Sequence, residues 1–127
     1  MLTNTKAFSG FAVDDVQRAQ EFYGETLGLK TEVLDEENGL LSLHLAGDRD
    51  TIVYQKPDLV PANYTILNFP VDDIDEAVDG LTERGVQFER YDGFEQDEKG
   101  IARSLGQGPD IAWFKDPAGN ILSVLKE

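Results

Sequence analysis

The chain holds one histidine, His44, and no cysteine. Thiol nucleophiles, thiolate metal ligands and disulfides are therefore outside its chemistry. His44 is the side chain whose ordinary titration range suits a general base near neutral pH. Tyr54 is a second, weaker candidate for moving a proton. No carboxylate is evidently placed beside His44 by the sequence, and a lone histidine of this kind is more often a hydrogen-bonding residue of a pocket or the surface than a catalyst. Trp113, Phe8 and Tyr54 could stack on a flat ligand, although aromatics at alternating spacing also serve packing. The glycines of "GIARSLGQG" (100–108) lack the Gly-Lys-Ser/Thr signature and the strand-to-helix setting of a phosphate cradle. No nucleophile–base pair and no carboxylate dyad stands out, and the catalytic residues remain unassigned.

The charge narrows the partners. Twenty-five acids face 11 bases, for a net charge of −14. A surface of this sign repels the phosphate backbone and anionic membranes and raises the local concentration of cations. Nucleic acid and membrane are thus excluded as partners, and solubility alone accounts for much of the bias. The acids gather at "DEEN" (35–38) and "EQDEK" (95–99), which read as solvated loops. No apolar run approaches the ~20 residues of a membrane span. "MLTNTKAFSG" shows no basic region followed by an apolar stretch, so a cytoplasmic location is expected.

The elements that must position these residues are written twice. "FAVDDVQRAQEFYGE" (11–25) is echoed by "FPVDDIDEAVDGLTE" (69–83), with Phe, Val, Asp-Asp, Ala and Glu in matching places. A likeness of this length points to an internal duplication. In each copy an alternating run ends at an Asp-Asp pair that can cap a helix, with Asp14 and Asp72 read as caps. The helices are predicted from Val16 and over about 74–84, closed by Gly28 and Gly85. Strands are predicted at 8–13, 29–35, 40–46, 51–56, 86–91, 110–115 and 120–125, with "DPAGN" (116–120) as a hairpin turn. The chain reads as a single domain: module one at about 5–57, a linker at about 57–63, module two at about 64–127. Each module is βαβββ. The segment 92–108 is long for a connection and reads as a mobile flap.

The phrases "VDDVQRAQEFYGETLGL" and "WFKDPAGNILSVL" resemble the vicinal oxygen chelate superfamily, which includes glyoxalase I, extradiol dioxygenases, fosfomycin-resistance enzymes and bleomycin-resistance proteins. The resemblance covers nearly the whole chain. It implies an α+β fold in which two βαβββ modules form a curled mixed sheet, a cup, with helices on the outer face, as a homodimer. In metal-dependent members the ligands line the cup. The matching positions here hold Phe8, Ile66, Ser123, and Tyr54 or its neighbour Val53. Ser123 alone cannot hold a divalent ion against water, so neither metal nor other cofactor is expected.

Strand alternation assigns the faces. Phe11, Val13, Phe69, Val71, Leu41, Leu43, Leu45, Phe114, Leu122 and Val124 should lie under the helices. Phe8, His44, Tyr54, Ile66, Asn68, Trp113 and Ser123 should face the cup and bind ligand. An apolar, aromatic hollow with a few polar anchors suits a small organic molecule. Two function classes are open. One is a metal-free binding protein resembling bleomycin-resistance-type sequestering proteins, taking a planar neutral or cationic ligand. The other is a glyoxalase-like lyase or isomerase, or another enzyme of the superfamily with a non-standard site.

Overall fold

In the computed structural model, which describes residues 1–127, Asp15 turns the chain from strand into helix. Its backbone is extended, and its Oδ1 accepts from the N–H groups of Gln17 at 3.0 Å and Arg18 at 3.2 Å. Asp73 does the same for the second helix, accepting from Glu76 N at 3.0 Å. The caps are therefore the second aspartates of the two pairs, each immediately before the first helical residue, and not Asp14 and Asp72, which stay exposed. Gly28 and Gly85 follow the helices with positive φ.

Two compact units result, Met1–Val60 and Pro61–Glu127. In the first, β1 (Gly10–Val13) leads into α1 (Val16–Gln20), which continues as a π-helical turn over Glu21–Thr26, followed by β2 (Lys30–Asp35), β3 (Leu40–His44) and β4 (Thr51–Gln55). The sheet order is β1-β4-β3-β2, parallel between β1 and β4 and antiparallel elsewhere. Leu41, Leu43, Val53 and Val13 are buried on one face with Val16, Ala19 and Tyr23 of the helical segment. Full burial of each large apolar side chain contributes on the order of 2 kcal/mol. Leu45 lies beyond β3 and is only half-buried. Gly39 (φ +70) lets Gln55 approach, because a Cβ there would stand 2.7 Å from the Gln55 Cβ. Gln55 Oε1 in turn accepts from Val16 N at 3.1 Å, satisfying an otherwise free donor of the helix start.

In the second unit, β5 (Thr65–Pro70) precedes α2 (Ile74–Glu83), β6 (Asp110–Lys115) and β7 (Ile121–Lys126). The sheet order is β5-β7-β6, with β5 parallel to β7 and β6 antiparallel to it. The helix packs through Ile74 and Val78 on the face carrying Phe114, Leu122 and Val124. The turn "DPAGN" is held by Asp116, whose Oδ1 accepts from Ala118 N and Asn120 N, both at 2.9 Å.

The two sheets, of four and three strands, give an α+β fold with curled-sheet elements. Two differences from the sequence reading have clear causes. The strand expected at 86–91 shrinks to a bridge between Phe88 and Phe114. The ladder ends because Gln96 takes the groups that would extend it: its Oε1 accepts from Tyr91 N at 2.9 Å and its Nε2 donates to Glu89 O at 2.9 Å. The first strand starts at Gly10 rather than residue 8, since its partner β4 offers nothing before Thr51.

The segment 92–108 is not a free flap. Ile101 is fully buried, and Ala102 and Ile111 exchange backbone hydrogen bonds at 2.8 and 3.1 Å. Gln96 Nε2 also reaches Gly100 O at 2.7 Å. Asp97 Oδ1 accepts from Lys99 N and Ile101 N, both at 2.9 Å. Lys99 and Arg103 then tie the segment to α2: Lys99 Nζ lies 3.3 Å from Asp75 and 3.0 Å from Asp79, and Arg103 Nη2 lies 2.8 Å from Asp75. A run that reads as solvated charge in sequence is thus an anchored strap.

Candidate functional site

The second sheet lines up three of the expected binding residues. Ser123 on β7 pairs in register with Asn68 on β5 and with Trp113 on β6. Residues paired across a ladder share a face, so the three form a row opposite the helix-covered side. Ser123 Oγ donates to Asn68 Oδ1 at 2.6 Å. Ser123 is fully buried, whereas Asn68 is exposed. Ile66, half-buried, sits at the irregularity in the β5–β7 register, between Thr65 and Leu67.

Trp113 is not the open wall that alternation suggests, being only 8% exposed. Two rings cover it, Tyr91 just ahead of the strap and Phe94 within it. Tyr91 meets it edge-on, with ring centroids 5.5 Å apart and planes at 73°. Phe94 tilts over it at 4.9 Å and 58°. Such pairs are worth about 0.5–1.5 kcal/mol each beyond area burial. Phe94 is itself 55% exposed. The Tyr91 hydroxyl is buried and has no hydrogen-bond partner. Burial, with the nearby Glu89 carboxylate adding to it, pushes the phenol above its usual titration range. Neither ring stood out in the sequence. The available signal was two aromatics in the otherwise polar stretch "YDGFEQDEKG".

The strap's charges are settled as ion pairs. The hydrogen bond from the Arg103 guanidinium, with a further one from Lys99, holds Asp75 below its usual carboxylate range. Burial pushes Asp97 upward, but the N–H groups of Ile101 and Lys99 and the Arg103 side chain outweigh it, and the carboxyl ends lowered.

In the first unit, Tyr54 is 44% exposed and pairs in register with Ala12 and Leu40, while Val53 is buried on the helix side. Tyr54 is therefore the member of that pair turned away from the helix. His44 ends β3, and its Nδ1 lies 3.0 Å from Asp50 Oδ1. A carboxylate partner absent from the sequence reading is thus present. It lies across the turn that joins β3 to β4. Phe8 precedes β1 and is 74% exposed. A separate open groove beside the helical segment is lined by Gln17, Gln20, Glu21 and Glu25. It holds none of the expected binding residues.

The family model described as the Glyoxalase/Bleomycin resistance protein/Dioxygenase superfamily matches residues 7–124. The chain belongs to this superfamily. Solved structures of similar fold include a member of the same superfamily from Sphaerobacter thermophilus, at 26% identity and a TM-score of 0.68, with 97% of this chain and 98% of that chain covered. TnmS3, an antibiotic binding protein from a Streptomyces species, is 25% identical with a TM-score of 0.68, and 98% of each chain is covered. The fosfomycin resistance protein FosX from Mesorhizobium loti, at 14% identity and a TM-score of 0.65 over 98% of this chain and 92% of that chain, shares the fold. No curated protein is similar enough in sequence to count as a relative.

The chelated metal implied by the resemblance to metal-dependent vicinal oxygen chelate proteins does not fit the residues of this chain. Phe8, Ile66 and Ser123 occupy the expected ligand positions, with Tyr54 at the remaining one. The Ser123 hydroxyl hydrogen is committed to Asn68. No group of three or more histidine, aspartate or glutamate side chains is placed to hold a metal ion. No helix is long and apolar enough to cross a membrane.

Proposed function

We propose that this protein binds a planar, neutral or cationic small organic molecule without a metal, in the manner of a sequestering protein rather than an enzyme. One observation carries the reading: the row Asn68–Ser123–Trp113 joins an aromatic surface to polar anchors, with no nucleophile–base pair beside it. The likeness to the antibiotic binding protein TnmS3 supports it. The net charge of −14 supports the preference against anions. Phe94, exposed and tilted over Trp113, is the ring that gives way as a ligand settles. Ile66 joins the proposed ligand-contacting residues of the second unit, and Phe8, His44 and Tyr54 are the proposed contacts of the first. The protein acts in the cytoplasm as a homodimer. Val33 and Leu34, exposed on the edge strand β2, offer apolar surface to a second copy.

Trp113 is the sole tryptophan, so its fluorescence reports directly on the site. Titration and calorimetry against bleomycin-like, anthracycline-like and simpler flat aromatic compounds should find micromolar binding by at least one class. Trp113→Ala would also open the core, at about 3 kcal/mol or more. Trp113→Phe is the cleaner variant and should weaken binding by about fivefold to tenfold. Binding no better than millimolar across the panel would overturn the proposal.

The His44–Asp50 pair favours a second reading. A carboxylate on Nδ1 orients the imidazole so that Nε2 can take a proton, as a lyase or isomerase acting on a small carbonyl compound requires. Turnover abolished by His44→Gln, with ligand affinity unchanged, would establish this reading instead.

A further inference from the structure

The polar groups on the second sheet's proposed binding face are one-sided. Asn68 Oδ1 is occupied by the Ser123 hydroxyl at 2.6 Å. That contact uses the amide oxygen and leaves Nδ2, which can only donate, on a residue that is itself exposed. Tyr91 Oη is buried among the rings around Trp113 with no partner. A buried hydroxyl without a hydrogen bond is costly and uncommon in native proteins. Glu89, whose carboxylate acts on the Tyr91 phenol, is drawn to Lys115, 3.5 Å away. Neither Asn68 nor Ser123 carries a charge that would grip a cation.

We infer that the ligand of this face is a flat ring system bearing a hydrogen-bond acceptor, a ring carbonyl, which receives the Tyr91 hydroxyl as its donor. The inference rests on the binding reading above and adds the ligand's chemical class. Under it the acidic surface only steers and enriches. Local recognition comes from a donor meeting a carbonyl, and Tyr91 becomes a specificity residue rather than a packing residue. The orphaned hydroxyl is retained because its partner arrives with the ligand.

The test uses a matched pair of probes, fluorenone and fluorene, each bearing the same dimethylaminomethyl group for solubility. They differ only in the carbonyl. Trp113 fluorescence titration of the whole protein should show the ketone binding about tenfold more tightly than the hydrocarbon. Tyr91→Phe should remove most of that ratio by weakening the ketone alone. The ligand-free Tyr91→Phe protein should melt no lower than the parent, because it loses only an unpaired hydroxyl. Equal affinity for the two probes, or a ratio untouched by Tyr91→Phe, would overturn the inference while the binding reading stands. A melting temperature several degrees lower for ligand-free Tyr91→Phe would assign the hydroxyl a structural partner and also overturn it. If neither probe binds and the wider panel is blank, both readings fall together.

Discussion

Replacing Asp97 by alanine should detach the strap that carries Phe94 and adjoins Tyr91. The carboxylate accepts four contacts: Lys99 N and Ile101 N at 2.9 Å each on Oδ1, and Arg103 Nε at 3.2 Å and Nη2 at 3.1 Å on Oδ2. Ile101 is fully buried, so its amide is left without a partner, at about 1–3 kcal/mol. Water can replace the carboxylate at Lys99 N. The Arg103 pairing is half-exposed and contributes under about 1 kcal/mol. Asp97→Ala should therefore cost about 1–4 kcal/mol. Asp97→Asn keeps a carbonyl oxygen for the two amides and should lose about 1 kcal/mol or less. Urea unfolding followed by far-ultraviolet circular dichroism and by Trp113 emission gives both numbers. In the alanine variant the emission should shift at lower urea than the dichroism, because the rings leave Trp113 before the sheets melt. If the two variants are equally stable, or if the two signals coincide in Asp97→Ala, the anchor does not act as described.

Acid should find the same strap. Asp75 and Asp97 have folded-state titration points below their ordinary value of 3.8. The stability they contribute is therefore fully present above that value and is lost as pH falls through the lower, folded values. The unfolding midpoint of the parent protein should drop more steeply below about pH 4 than that of Asp97→Asn, as a pH series of melts will show. Chelators should leave the melting temperature unchanged, and a native mass spectrum of freshly purified protein should show no stoichiometric metal, since the donor set lacks the ligands such an ion needs.

What the sequence revealed depended on local rules. Asp-Asp before an apolar helical stripe announces a cap, and only the choice between neighbours needed coordinates: Asp15 and Asp73 serve, Asp14 and Asp72 do not. Alternation placed Leu41 and Leu43 beneath a helix and aligned Asn68, Ser123 and Trp113 on one face. Alternation says nothing about what covers a face. Tyr91 and Phe94 reach Trp113 from a segment without period, where side chain to backbone bonds by Gln96 and Asp97 replace a ladder. Asp50 escaped notice for a related reason: its approach to His44 depends on the path of a turn, not on strand spacing. The π-helical turn at Glu21–Thr26 likewise carries no distinct signature, and shows itself in the five-residue bond from Leu27 N to Phe22 O at 2.9 Å.

Gln96 closes the neck of a small hairpin whose tip is residues 92–95, gripping Tyr91 N, Glu89 O and Gly100 O at once. A neck sealed in this way insulates the sheet from whatever the tip contains. The four positions Asp92, Gly93, Phe94 and Glu95 are all exposed, and their replacement need not disturb the ladder between Ala102 and Ile111. The ring set against Trp113 can thus be exchanged as a cassette, by grafting or by natural drift, while the scaffold's stability is held elsewhere. A protein built in this way can acquire a new ligand range through a handful of surface substitutions.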